Sequence, residues 1–289
     1  MTRTHLSLAA LIVALGGSAI GGPGATPVIA PSDVYDLLRS GNQRWIDGSC
    51  EDRNTDSERR ADTAQNGQHP FACVITCADS RIPVERVFDR GVGDLFVIRV
   101  AGNVASPSVL GSVEYAVDHL ATPVVLFMGH TGCGAVGAAC AEGEMHGNIA
   151  TLIDSIRPVV KEAKACAAGE KSSKKDEASQ AAIVAEAVRL NVEYQIRASI
   201  EESPVIAQAV ADGRTRVVGA IYDLASGEIR WLDEQPDLRD LAMSTLAPKQ
   251  PEVAQVEEKK PARRTGFSPN TSGGATPRRV TTALDRDEH

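Results

Sequence analysis

Cys77-Ala78-Asp79-Ser80-Arg81 is followed about fifty residues later by His130-Thr131-Gly132-Cys133. Two thiols and one imidazole make a Cys₂His zinc set that leaves one corner of a tetrahedron unfilled. A structural zinc normally has four protein ligands, whereas a catalytic zinc keeps one position for water or substrate. Asp79 and Arg81 stand two and four residues after the first cysteine. In an extended chain, residues i, i+2 and i+4 point to one side. Asp79 and Arg81 are therefore expected to crowd a metal held by Cys77. A metal, a carboxylate and a cation in one pocket suit the activation of a water molecule at neutral pH. A closed site, with Asp79 as the fourth ligand, uses the same residues.

The elements that must position these side chains are legible around them. Phe71-Ala72-Cys73-Val74-Ile75-Thr76 is an apolar run that ends at Cys77, and Pro123-Val124-Val125-Leu126-Phe127-Met128-Gly129 ends at His130. Apolar runs without alternation suit strands of a parallel sheet covered on both faces. Ligands of open α/β sheets collect beyond the carboxyl ends of the strands, where both halves of the set fall. Gly132 and Gly134 flank Cys133 and allow a tight turn that returns it to His130.

Ser32 or Asp33 is expected to cap a helix over Val34–Leu38. Residues 50–67 read as polar and irregular. A short helix starts at Pro83. A strand covers Leu95–Val100, a helix runs from Ser106-Pro107 to about Leu120, and an Ala/Gly-rich helix follows Cys133. Residues 148–202 read as helical, broken by the polar run Gly169–Lys175. A further helix runs from Ser203-Pro204 to Gly213. Arg216–Asp223 is a strand, and Ala225-Ser226-Gly227 turns it into Glu228–Leu232, an antiparallel edge. Strands alternating with helices predict a three-layer α/β fold around a mainly parallel sheet of four to five strands.

These motifs resemble those of the β-class carbonic anhydrases over roughly residues 32–234. C-x-D-x-R and H-x-x-C carry the resemblance. Gly41-Asn42-Gln43-Arg44, Phe96–Asn103 and Gly111–Ala116 are similar to further segments of that family. The resemblance implies Cys77, His130 and Cys133 as ligands of one zinc per chain, and Asp79 with Arg81 as a catalytic dyad. It implies a pocket lined by Gln68, Phe96, Ala101, Tyr115 and Gly134, slightly wider at Ala101, where some members carry valine. The reaction implied is the reversible hydration of carbon dioxide to bicarbonate by zinc-bound hydroxide. The bicarbonate-inhibited subgroup carries tryptophan three residues before the first cysteine; here that residue is Val74. The resemblance also implies a homodimer or homotetramer. In it Gln68 serves a pocket completed by the partner chain, and Tyr35, Leu37, Leu38 and Trp45 pack across the neighbour. Two other readings use the same ligands: a related hydrolase of carbon disulfide or carbonyl sulfide, and a non-catalytic zinc protein used in assembly. Binding alone needs neither Asp79 nor Arg81.

The 289 residues carry a formal charge of −8, which argues against a nucleic-acid partner. Arg3 and His5 precede the apolar stretch Leu6–Ile20, and small residues follow with no acid before Asp33. A basic start, a short apolar centre and small residues read as a secretory signal. The stretch is short for a span of ~20 residues, so no stable membrane span is expected. Residues 1–30 thus read as signal peptide and linker of a periplasmic or secreted protein. Residues 31–246 read as the catalytic domain. Residues 247–289, rich in Pro and mixed charge, read as a disordered tail. Cys73 and Cys140 read as small buried hydrophobes. Cys50 and Cys166, in polar surroundings, are candidates for oxidation in an export compartment.

Overall fold

A computed structural model describes residues 29–141, 143–169 and 177–247. The expectations about residues 1–28 and 248–289 lie outside them. The sheet has five strands: β1 (Ala72–Thr76), β2 (Leu95–Arg99), β3 (Val124–His130), β4 (Arg216–Tyr222) and β5 (Ile229–Trp231), in the spatial order β2-β1-β3-β4-β5. The first four run parallel, and β5 closes one edge antiparallel to β4. Among the described residues ten α-helices surround it: α1 (Pro31–Ile46), α2 (Ser57–Asn66), α3 (Val84–Val87), α4 (Pro107–Glu114), α5 (Gly134–Cys140), α6 (Asn148–Asp154), α7 (Val160–Gly169), α8 (Glu177–Glu202), α9 (Pro204–Ala211) and α10 (Leu238–Leu246).

The uninterrupted apolar runs of β1 and β3 make sense from both sides of the sheet. Val74, Leu126, Met128 and Ala220 enter one buried cluster, with residues of α1, α3 and α5. Cys73, Ile75, Val125, Phe127 and Val217 enter another, with residues of α4, α9 and α10. α8 serves both, giving Ala187 and Val188 to the first and Val192, Ile196 and Ile200 to the second. Cys73 and Cys140 are buried as expected, Cys50 is half-buried and Cys166 exposed, and all six cysteines are free thiols. Burial pushes the Cys73 thiol far above its ordinary value. Among the described residues, no helix is long and apolar enough to cross a membrane.

Several local expectations are corrected. α1 starts at Pro31, with Ala30 as cap residue and no side-chain cap; Ser32 instead bonds the Asp33 carboxylate. Proline at the first position, with its fixed φ, does the work assigned to a capping side chain. The segment read as irregular contains α2, which buries no residue. Its start is fixed by the Asp56 carboxylate, which accepts from the Arg59 N–H at 2.7 Å. The helix read as running to Leu120 leaves α geometry after Glu114 and ends in a wider, π-helical turn over Tyr115–His119. α10 follows the last strand, its Leu238, Leu241, Ala242 and Leu246 packing on the second cluster.

α1 packs on its own chain. Leu38 is fully buried, and the Tyr35 ring lies 4.9 Å from that of Trp231. The Gly41-Asn42-Gln43-Arg44 signature explains this docking. Asn42 donates to the carbonyls of Val87 (3.3 Å) and Gly227 (2.8 Å) and accepts from the Ile229 N–H (2.9 Å). Arg44 pairs with the buried Asp89. Gly41 faces the Phe88 backbone so closely that a Cβ would stand 1.9 Å from its carbonyl oxygen. Gly41→Ala is therefore expected to cost ~3 kcal/mol or more, since backbone has no rotamer by which to yield. An unchanged urea midpoint would refute this close approach.

Candidate active site

β1 and β3 are adjacent and parallel, so their carboxyl ends emerge side by side. Cys77 follows the last residue of β1 directly, and His130 is the last residue of β3. After His130 the chain turns through Gly132, at φ 65°, and brings back Cys133 as the residue that caps α5. The three ligand atoms lie within 4.8 Å of one another, all on buried residues. The two sulfurs are 4.0 Å apart.

The donor chemistry fits zinc. His130 Nδ1 lies 3.0 Å from the Thr131 carbonyl oxygen, the contact expected of a ring that keeps its other nitrogen for a metal. That other nitrogen, Nε2, is buried without any hydrogen-bond partner. A buried polar atom left unpaired is costly, and a metal removes the cost. The Gly102 N–H points at Cys77 Sγ at 3.4 Å. A hydrogen bond from Cys133, supported by backbone amides, outweighs burial and pulls the Cys77 thiol down to about 4. Its partner Cys133 is pushed up, first because it donates to Cys77 and then by burial. One thiolate thus forms readily, and the second needs a cation to form beside it.

Asp79 and Arg81 stand where the motif requires, but not by extended-strand alternation. β1 has ended, and a turn closed by the Ile82 N–H on the Asp79 carbonyl (3.2 Å) carries them. Arg99, the last residue of β2, holds this turn: its Nε donates to the Cys77 carbonyl at 3.1 Å, and its terminal nitrogen donates to the Asp79 carbonyl. Arg81 grips the Asp79 carboxylate with Nε at 2.9 Å and a terminal nitrogen at 2.6 Å, and its own N–H adds a third bond at 3.0 Å. These bonds hold the Asp79 carboxyl well below the usual carboxylate range. Its Oδ2 lies 3.9 Å from His130 Nε2, so the carboxylate faces the cage while staying paired to arginine. The residue missed from sequence is Arg99. A charge at the end of the apolar strand Leu95–Ile98 was the available signal.

The pocket candidates are spread more widely. Phe96, on β2, and Tyr115 lie ring to ring at 6.1 Å, and Tyr115 is 46% exposed. Tyr115 also stacks on His119 at 5.0 Å. Ala101 opens the short turn after β2, next to Gly102. Gly134 is the first residue of α5 and has open space at its Cα. Gln68 is exposed on the stretch between α2 and β1.

The carbonic anhydrase family profile matches residues 72–229 of the 289. The chain is 36% identical over 225 residues to a carbonic anhydrase of Mycolicibacterium smegmatis, covering 76% of this chain and all of that one. It is 34% identical over 209 residues to carbonic anhydrase 2 of Mycobacterium tuberculosis, covering 71% and 92%. Its fold is similar to a β-carbonic anhydrase of Aspergillus fumigatus, with a TM-score of 0.56 at 28% identity over 74% of this chain and 97% of that one. It is also similar to a Coccomyxa β-carbonic anhydrase solved with acetazolamide, with a TM-score of 0.54 at 25% identity over 75% and 99%. With a profile match over more than half its length and a relative aligned from end to end, the chain belongs to the β class of the carbonic anhydrase family.

Proposed function

We propose that Cys77, His130 and Cys133 hold one zinc per chain, and that Asp79 and Arg81 do the orienting work of carbon dioxide hydration. The reaction is the reversible conversion of carbon dioxide and water to bicarbonate and a proton. The observation that carries the residue roles is the Asp79 carboxylate, clamped by Arg81 with Oδ2 3.9 Å from His130 Nε2. Zinc in the cage supplies Lewis acidity and lowers the pKa of a water from ~15.7 to ~7. Asp79 stays ionised at every pH near neutrality, so Oδ2 remains an acceptor. It takes a hydrogen bond from the attacking oxygen and turns that oxygen's lone pair toward the carbon of carbon dioxide. Arg81 fixes the carboxylate in this pose. For Asp79 to become the fourth ligand instead, its carboxylate would have to give up the Arg81 clamp. Phe96, Ala101 and Tyr115 offer apolar surface to an uncharged linear substrate, with Gln68 and Gly134 completing the pocket.

Stopped-flow carbon dioxide hydration alongside metal analysis tests the reading. Hydration well above the uncatalysed rate, tracking zinc content, is expected. Zinc-loaded protein that left carbon dioxide untouched, or turned over carbon disulfide in its place, would overturn it.

The assembly proposed is a homodimer or homotetramer in which a partner chain completes the pocket. Two related enzymes of Sordaria macrospora are described as tetrameric. In this chain β2 is the sheet edge, with Leu95, Phe96, Val97 and Ile98 only half-buried, and Tyr115 is exposed beside it. Light scattering is expected to give a dimer or larger at low micromolar concentration, and an active monomer would refute the assignment. Export is proposed from Arg3, His5 and Leu6–Ile20, with a mature start between about Gly21 and Pro31. Amino-terminal sequencing checks it: cytoplasmic protein that retains Met1 would reject it.

A further inference from the structure

We propose that Asn191 and Gln195 are positioning residues for the metal cage, acting as a buried amide relay that holds the Gly102 N–H on the Cys77 sulfur. The inference rests on the reading of Cys77 as a zinc ligand. Asn191 and Gln195 lie one helical turn apart on α8, 0% and 2% exposed. Asn191 Nδ2 donates to the Gly102 carbonyl at 2.9 Å, and Gln195 Oε1 accepts from the Ala105 N–H at 2.8 Å. Gln195 Nε2 donates to Asn191 Oδ1 at 3.0 Å and to the Ser155 carbonyl at 3.1 Å. One helix thus grips the 101–105 turn at both ends, and a shared hydrogen bond fixes the two gripping amides against each other.

The turn needs to be held. Gly102 is left-handed, with φ 74° and ψ 13°, and its N–H makes the 3.4 Å contact with Cys77 Sγ. A Cβ at this position would meet Ile156 Cδ1 at 2.6 Å and Ala135 Cβ at 3.2 Å, so the turn lies tightly under α5. A hydrogen bond to a thiolate depends steeply on donor direction. The donor lies in the Ala101–Gly102 peptide plane, and Asn191 holds the next plane, Gly102–Asn103, by its carbonyl; fixing that plane anchors the Gly102 Cα about which the donor plane would otherwise reorient. Groups of this kind, which do not touch the metal but orient and polarise its ligands, typically change metal affinity about 10- to 100-fold when removed.

The plain alternative is that two buried amides only stabilise the core. Asn191→Leu and Gln195→Met keep approximate size and remove the amides. Ser199→Ala is the control: Ser199 is buried on the same helix, and among the described residues its hydroxyl bonds the Ile196 carbonyl, away from the turn. Zinc affinity is read by competition with a chromophoric chelator, and the cobalt-substituted protein gives the thiolate-to-metal charge-transfer band. Asn191→Leu is expected to weaken zinc about 10- to 100-fold and to shift or weaken the cobalt band. Gln195→Met should move both in the same direction by less, and Ser199→Ala should lower thermal stability while moving neither. If Asn191→Leu does not fold, Gln195→Met decides. Wild-type zinc affinity and cobalt spectrum in the folded variants would overturn the relay. Zinc loss on Cys133→Ser together with normal affinity in the relay variants would reject the relay alone; full zinc in Cys133→Ser would reject the cage on which it rests.

Discussion

Cys133→Ser is expected to leave the protein folded, nearly free of zinc, and inactive in hydration. Serine matches the cysteine in shape, so the turn through Gly132 and the start of α5 have no reason to move. The chemistry does not survive the exchange. A thiolate is a soft ligand that ionises within reach of neutral pH, whereas a hydroxyl is hard and keeps its proton. Among the described residues the proposed site offers three ligand side chains, two of them sulfur 4.0 Å apart, so losing one removes half of its thiolate character. It also leaves His130 Nε2 unpaired and buried, as it stands without metal. Metal analysis after dialysis against a mild chelator, with the melting temperature of the apo-protein as the folding control, checks the outcome. Full zinc occupancy and activity in the variant would remove Cys133 from the ligand set.

What could be read in the residues and what could not follows from the range over which each signal acts. β1 and β3 were legible because burial on two faces leaves an apolar run without polar alternation, and the strand ends then place Cys77 and His130 together by topology alone. α2 was not, because it buries nothing and depends on one capping carboxylate, leaving no apolar period to detect. α10 carried a helical period at Leu238, Leu241, Ala242 and Leu246, but no motif drew attention beyond Leu232. Asp79 does lie beside the cage with Arg81 on its carboxylate, but extended-strand spacing is not what puts them there. Their pose comes from a turn and from Arg99 on a neighbouring strand, and a long-range clamp has no signature in the segment it clamps. Asn191 and Gln195 were invisible for the same reason: nearly ninety residues separate them from the turn they hold. The GN-x-R signature was seen, yet its purpose required the packed structure. Asn42 joins α1 to the Val87 and Gly227 carbonyls and the Ile229 amide, and Gly41 makes room for Phe88.

Asp79→Asn is expected to lower hydration by ~10²-fold or more while leaving zinc in place, the loss typical of removing a positioned acid–base or hydrogen-bonding group. The side chain keeps its shape, and the three ligands do not include it. Two things change. The amide turns one oxygen acceptor into a donor, so the position facing the cage can repel the proton that Oδ2 would have accepted. The Arg81 grip loses its charge-assisted partner, since the guanidinium now faces a neutral group that can accept only through its oxygen. The pH behaviour separates this role from a general effect on the site. Hydrogen bonds from Arg81 hold the Asp79 pKa below the carboxylate range, so its charge is present at neutral pH and is lost only in strong acid. Wild type and variant should therefore differ by a constant factor from mildly acidic to mildly alkaline pH, with the pH midpoint of activity set elsewhere. Rate–pH profiles of both proteins at matched zinc content test this. Near-normal turnover would make Asp79 a bystander, and a ratio that collapsed toward unity at mildly acidic pH would show that it titrates in the working range, contrary to the Arg81 clamp.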